Sequence, residues 1–147
     1  MPRRVTTRRA KESDGDFAYV LRELTMRGHE ETTWGEWNEL QARMQIAEDI
    51  RQQRLTIVEV DSSPAGMMRV DEHASHTDID QLFLLPEYQR QGIGSELVRS
   101  VLRAAVEKNM SVRLWVLKVN SARGFYERLG FQVFEESAAS VHLRSAA

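Results

Sequence analysis

Two stretches in the first half of the chain carry apolar residues at helical spacing. Phe17, Val20, Leu21 and Leu24 share one helical face, opened by the turn and cap chemistry of Asp14-Gly15-Asp16. Trp37, Leu40, Met44 and Ala47 keep the same spacing in a second segment, expected over 34–53 with Thr32 or Thr33 as its cap. Ahead of both, 3–11 is polar and threonine-rich and reads as a strand. At Leu55 the period changes. Residues 55–60 are rich in β-branched side chains and predict a strand. Residues 61–66 carry turn chemistry, so 67–72 return as its antiparallel partner. The next strand, 77–85, is stopped by Pro86. Ile93, Leu97, Val98, Val101, Leu102, Ala105 and Val106 mark an amphipathic helix over 92–108. Residues 112–119 form an apolar strand long enough to be buried. A short helix over 121–129 closes at Gly130, and 131–134 and 141–143 finish the sheet. The strand, helix, strand run in the middle demands a right-handed parallel crossover. The expected fold class is therefore α/β (α+β): a mixed, mostly antiparallel sheet of six to seven strands, about four helices and a central parallel pair.

Composition narrows the function. The chain has 147 residues, 41% apolar and 29% charged, which are values of a folded globular domain. One domain over 1–147 is expected. The formal net charge is −2 and the basic residues are spread. Their one concentration, Arg3, Arg4, Arg8, Arg9 and Lys11, is interrupted by Val5-Thr6-Thr7 and reads as a solvated strand, so no nucleic-acid partner is expected. There is no cysteine, which excludes a disulfide scaffold, a thiolate zinc site and a cysteine nucleophile. No apolar run has the length of a membrane span and the N-terminus lacks a signal-peptide core. No membrane partner and a cytoplasmic location are expected. His73, His76 and His142 are scattered on strand ends, so no metal site is expected. Met26, Met44, Met67 and Met68 read as core fillers.

The segment Leu84-Leu85-Pro86-Glu87-Tyr88-Gln89-Arg90-Gln91-Gly92-Ile93-Gly94-Ser95 carries the most chemistry. A strand ends, a polar loop follows, and two glycines open a helix. Helix N-termini leave N–H groups unpaired and carry partial positive charge, so an anion placed there meets several donors at once. Gly92 and Gly94 remove the Cβ atoms that would block a close backbone approach, and Arg90 adds a mobile cation. The site suits a diphosphate ester. It is not a Rossmann fingerprint, whose third glycine would fall at Leu97. Nor is it a P-loop, since no Gly-Lys-Ser/Thr occurs. Two glycines alone fit a tight turn with no ligand equally well.

Context separates these readings. Gln89-x-x-Gly92-x-Gly94 after Leu84-x-Pro86 resembles the acetyl-CoA signature of the GNAT acetyltransferases. Asn120-Ser121-Ala122-Arg123-Gly124-Phe125-Tyr126-Glu127-Arg128-Leu129-Gly130-Phe131 resembles the second conserved stretch of that superfamily. The order of elements matches over essentially the whole chain. The resemblance implies an acetyl-CoA-dependent N-acetyltransferase with CoA as product. It divides the domain into acceptor-pocket helices at about 14–53 and a cofactor-binding core at about 77–131. The pantetheine arm would lie between splayed parallel strands, its amides pairing with the backbone of Leu82, Phe83 and Leu84. The pyrophosphate would sit on the loop and helix start formed by Gln89, Arg90, Gln91, Gly92, Ile93, Gly94 and Ser95. Asn120 would hydrogen-bond the cofactor, cap the next helix, or do both. Tyr126 takes the position of the family's general acid, where a phenol can protonate the departing thiolate; a core tyrosine beside Phe125 and Phe131 is the other reading.

The general base is less determined. Only a neutral amine attacks, and a free alkyl amine has a pKa of about 10, so a carboxylate or a water held by one should collect the proton. Counting back from Gln89 puts Asp78 at the base position of the histone acetyltransferase branch. Asp80 lies two residues on, on the same face of a regular strand, where each acid would raise the other's pKa. The ribosomal-protein branch uses a glutamate on the following strand, but Leu114-Trp115-Val116-Leu117-Lys118 has no acid. Asp78, Asp80, a residue of the first two helices, or water alone remain. Those helices usually wall the acceptor pocket and here carry His29, Glu30, Glu31, Trp34, Glu36, Trp37 and Glu39. Trp34-Gly35-Glu36-Trp37 resembles a tryptophan-acid patch of small bacterial GNAT proteins, and Trp34, Glu36 and Trp37 are the substrate candidates, suited to a cation. The alternative is a core Trp37 and glutamates that favour a helix start. Without cysteine, direct attack in a ternary complex is the expected route. The rival is a non-catalytic acyl-CoA-binding or sensing module, which would need neither Tyr126 nor the acidic strand. The acceptor is a small-molecule or peptide amine of open identity, and a homodimer is common in the family.

Overall fold

The computed structural model describes residues 3–146. Seven strands and four helices follow in the order β1 (Val5–Arg9), α1 (Gly15–Trp34), α2 (Glu39–Arg51), β2 (Thr56–Val60), β3 (Ser63–Glu72), β4 (His76–Leu84), α3 (Ile93–Glu107), β5 (Ser111–Leu117), α4 (Ala122–Arg128), β6 (Gln132–Glu136) and β7 (Ser140–Arg144). The sheet order is β1-β2-β3-β4-β5-β7-β6. Every neighbouring pair is antiparallel except β4 and β5, which α3 connects in parallel. Among the described residues no helix is long and apolar enough to cross a membrane.

Strand alternation divides the core between the two faces of the sheet. Ile57 and Met67 pack with Ala18, Tyr19, Leu21, Ala42 and Ile46 of α1 and α2. Val58, one residue on, packs with Ile93 and Leu97 of α3, and Val112, Leu114 and Val116 meet Val98 and Ala105 there. Gly66 is buried where β3 runs closest to β4. A Cβ at that position would overlap the Phe83 carbonyl oxygen and lie 2.6 Å from a Leu84 methyl. Gly66→Ala must push Phe83 and Leu84 aside, and is expected to cost about 1–3 kcal/mol of stability in urea unfolding, as overpacked sites do.

The helix pair departs from expectation. Thr32 and Thr33 lie inside the last turn of α1 and cap nothing at the start of α2. Gly35, at φ 86°, ends α1 in the left-handed region, and its N–H bonds the Glu31 carbonyl. Asn38 caps α2 instead, its side-chain oxygen accepting from the Gln41 N–H at 2.9 Å. The buried face of α2 is Ala42, Ile46 and Asp49, while Leu40 and Met44 are exposed. Val20 and Leu24 of α1 are exposed as well. Ala42 and Ile46 join the core shared with Ala18, Tyr19 and Leu21 of α1.

β4 carries an irregularity in its pairing with β3. Arg69 faces Gln81 across the β3–β4 ladder and Val70 faces Ile79, so Asp80 has no opposite residue. It is the extra residue of a β-bulge, a device that re-aims side chains.

Candidate active site

β4 and β5 pair only at their beginnings, His76 to Asp78 against Ser111 to Arg113. Beyond that they diverge, although β4 runs on to Leu84 and β5 to Leu117. The outer edges of both strands are occupied, β4 by β3 and β5 by β7. The facing edges of the wedge therefore carry backbone donors and acceptors with no strand partner, a ready edge for an extended amide-bearing chain.

At the open end of the wedge, the turn Pro86–Tyr88 leads through 89–92 into α3. Arg90 at φ 61° and Gly92 at φ 83° are both left-handed. Such alternation turns successive N–H groups into one concavity, which suits an anion. Gln89 donates to the Leu84 carbonyl at 2.9 Å and Gln91 to the Glu87 carbonyl at 2.6 Å, so these side chains brace the loop. Gly94 sits where α3 approaches its neighbours. A Cβ there would lie 3.4 Å from the Phe125 ring and 3.8 Å from Leu84.

Just ahead of α4, the Asn120 side-chain oxygen accepts the Ala122 N–H at 2.9 Å, leaving its amide hydrogens for another partner. Tyr126 is buried with Val116, Phe131 and Leu143. Its ring meets Phe125 and Phe131 edge-on, with centroids 5.0 and 5.6 Å apart. Burial pushes its pKa up to about 12, so the phenol holds its proton at neutral pH.

A cavity of about 960 Å³ opens between α1, α2 and the diverging strands. Trp34, Met26, Leu40, Met44, Phe83 and Trp115 give it apolar walls. Leu40, Met44, Trp34 and Trp115 are each more than half exposed, and they gather here rather than scattering over the surface. Asp80 and Gln81, consecutive in sequence, both line it, as the bulge dictates. Desolvation raises the Asp80 carboxyl above its ordinary value, opposed by Arg69 and aided by Asp71, Asp49 and Asp78. Arg69 is shared: it lies 3.2 Å from Asp49, 2.9 Å from Asp71 and 3.5 Å from Asp80. Asp49, itself buried, is also held by Arg54 at 3.2 Å.

The family model described as an acetyltransferase (GNAT) domain matches residues 23–145. The chain belongs to the GNAT acetyltransferase family. Its relatives carry the N-acetyltransferase name. An uncharacterized N-acetyltransferase, YafP of Escherichia coli, is 25% identical over 132 residues, covering 83% of this chain and 79% of that one. An uncharacterized N-acetyltransferase of Archaeoglobus fulgidus is 35% identical over 79 residues; the match covers 48% of this chain and only about half, 54%, of that relative. Among solved structures, the PaiA N-acetyltransferase of Thermoplasma acidophilum in complex with coenzyme A superposes with a TM-score of 0.75. It is 18% identical, over 98% of this chain and 99% of that one. This likeness carries the fold. Enzyme class and architecture thus agree with what the two sequence motifs implied.

Within this GNAT domain, Leu82, Phe83 and Leu84 lie on the diverging part of β4, and 89–95 form the loop and first turn of α3. The two candidate bases part company. Asp80 lines the cavity; Asp78 does not, and is taken by His73 Nε2 at 2.9 Å and His76 Nε2 at 3.2 Å. The substrate candidates also separate. Trp34 lines the cavity, whereas Trp37 donates from its indole to the Tyr19 hydroxyl at 3.0 Å within the helix-side core. Glu36 is on the surface, away from the cavity walls. Two of the three strand-end histidines are not scattered: His73 and His76 meet at Asp78, which corrects the expectation from sequence, while His142 lies apart on β7. Arg69 and Asp49 carry no role in the sequence reading, and Leu40, Met44 and Trp115, which read there as helix face, core filler and strand, line the cavity instead. A legible signal existed for one of them, since Arg69 is a lone cation between the apolar Met68 and Val70.

Proposed function

We propose that this GNAT domain transfers the acetyl group of acetyl-CoA to a primary amine by direct attack in a ternary complex, with free CoA as the second product. The observation that carries the reading is the divergence of β4 from β5 beside a bulge that turns an acid, Asp80, into the cavity. The wedge offers unpaired backbone to the pantetheine amides, the loop at 90–95 offers N–H groups to the diphosphate, and the thioester would then lie between Asp80 and Tyr126.

The chemistry follows from these groups. An incoming ammonium gives one proton to Asp80, directly or through water, and becomes nucleophilic. The nitrogen bonds the thioester carbonyl carbon, the developing oxyanion accepts from an unpaired strand N–H, and the carbon–sulfur bond breaks. The thiolate takes the Tyr126 proton, and the second proton released by the new amide nitrogen restores the phenol. Tyr126→Phe keeps the ring packing and removes only the donor. It is expected to lower kcat by about 100-fold with acetyl-CoA affinity within a factor of about two, read by steady-state kinetics and calorimetry. Unchanged kcat would remove Tyr126 from the mechanism.

The acceptor fits best as an amine with an apolar body. Three cavity acids are already engaged: Asp49 by Arg54 and Arg69, Asp80 by Arg69, and Glu48 by Arg51. That leaves Glu30 as the fourth cavity acid and the one without an ion pair among the described residues, little negative charge for a polycation, while Trp34, Met26, Leu40, Met44 and Phe83 offer apolar contact. A bovine relative, 38% identical over 61 residues, is named a thialysine N-ε-acetyltransferase. An Arabidopsis thaliana neighbour of TM-score 0.69 was crystallised with the bisubstrate analogue CoA-Ac-MVNAL. Both a small amine and a peptide N-terminus with an apolar side chain suit the cavity. The test is an amine panel read by thiol release and product mass. One CoA per acetylated amine is expected, with apolar amines ahead of polyamines. Acetyl-CoA binding by calorimetry with no thiol release from any amine would favour the non-catalytic reading.

A further inference from the structure

We propose that His73, His76 and Asp78 form a divalent metal site at the β3–β4 turn, and that Zn²⁺ is the ion its donors fit. The three residues come from one short, stiff hairpin. The His73 N–H bonds the His76 carbonyl at 2.8 Å, and the ladder resumes at once with Glu72 opposite Thr77 and Asp71 opposite Asp78. Their donor atoms converge. His73 Nε2 lies 2.9 Å from one Asp78 oxygen, His76 Nε2 lies 3.2 Å from the other, and one donor atom from each residue falls within 4.8 Å of the rest. Zinc bonds of about 2.0–2.2 Å in a tetrahedron put neighbouring donors about 3.3 Å apart. The two nitrogen–oxygen separations, 2.9 and 3.2 Å, are already close to that spacing. Both imidazoles already present Nε2 to the one carboxylate, each to its own oxygen. The His76 ring is oriented from behind by Ser75, whose Oγ lies 2.9 Å from Nδ1; such outer partners fix a ligating tautomer.

Donor chemistry narrows the ion. Two neutral imidazoles and a carboxylate suit zinc and its transition-metal neighbours, whereas calcium and magnesium demand oxygen cages. Access is open: the side chains of His73, His76 and Asp78 are 49%, 20% and 36% exposed. Water can complete the coordination. The nearby acids are otherwise engaged, Asp71 by Arg69 and Glu72 by Lys108. The site lies at the paired end of the β4–β5 wedge, and occupation would leave Asp80 as the one available base of the two candidates. It stands independently of the acetyl-transfer reading.

The test uses tag-free chain stripped with chelator. Zn²⁺ titrated by calorimetry is expected to bind one ion per chain with micromolar Kd, and Co²⁺ to give visible d–d absorption. His73→Gln and His76→Ala are each expected to weaken Zn²⁺ binding at least about 10-fold, with the far-ultraviolet spectrum unchanged. His142→Ala, a histidine outside the cluster, is expected to bind normally. Absence of Zn²⁺ binding by the unmodified chain overturns the proposal, as does binding that survives the His73→Gln/His76→Ala double variant.

Discussion

Asp80→Asn is expected to lower kcat/KM for the amine by about 100- to 1000-fold while acetyl-CoA affinity stays within about a factor of two. The reason is local. A bulge in β4 removes the residue opposite Asp80 and turns its carboxyl into the cavity beside Gln81. Desolvation there favours the protonated form, and Arg69 only partly offsets it. A carboxylate whose proton affinity has been raised is a better base for an amine than an ordinary one. Asparagine keeps the shape and cannot take the proton. Arg69 would lose one partner and keep Asp49 and Asp71, so the fold should tolerate the change. The sign of the pH dependence follows. The base works deprotonated, so the rate rises with pH as Asp80 loses its proton, at a higher pH than an ordinary aspartate does. That limb should vanish in the variant. Stability moves the other way: a carboxyl with a raised folded-state pKa contributes most at low pH and loses that contribution as it ionises. The asparagine variant should therefore unfold no more readily than the parent at neutral pH. An unaltered kcat/KM with an unaltered pH profile would pass the base role to another group or to water.

Gly94→Glu is expected to weaken acetyl-CoA binding by about 100-fold or more, beyond calorimetric detection. Two effects combine. A Cβ at 94 already meets the Phe125 ring at 3.4 Å, so the longer side chain must turn outward into the mouth of the loop. There its carboxylate would face the diphosphate, and like charges brought together in a binding site cost several kcal/mol, which is two decades or more of affinity. Gly94→Ala separates the two effects. At 3.4 Å its methyl needs only a slight shift of Phe125, so it should weaken binding far less. Normal affinity in Gly94→Glu would mean that the diphosphate is held elsewhere.

What the sequence made legible was whatever is local. The loop at 89–95 could be read because its donors, glycines and cation are consecutive, and α3 because seven apolar residues keep one period. The helix pair was misread for a physical reason. Thr32 and Thr33 have the right chemistry for a cap, but Gly35 and Asn38 decide where α1 ends and α2 begins. Met44 has the chemistry of a core filler, yet it and Leu40 wall a cavity, and the core contact is made by Ala42 and Ile46. The bulge at Asp80 leaves no mark in the residue types, and strict alternation would have kept Asp78 and Asp80 equivalent. The shared role of Arg69 and the meeting of His73 with His76 at Asp78 depend on strand pairing, which one-dimensional spacing does not contain.

The most direct measurement is a crystal structure of the chain with CoA and an apolar amine. Phosphate oxygens are expected on the N–H groups of 90–95, pantetheine amides on the backbone of Leu82 to Leu84, sulfur within hydrogen-bond reach of the Tyr126 hydroxyl, and the amine facing Asp80. A nucleotide bound away from that loop, or a phenol out of reach of sulfur, would contradict that arrangement.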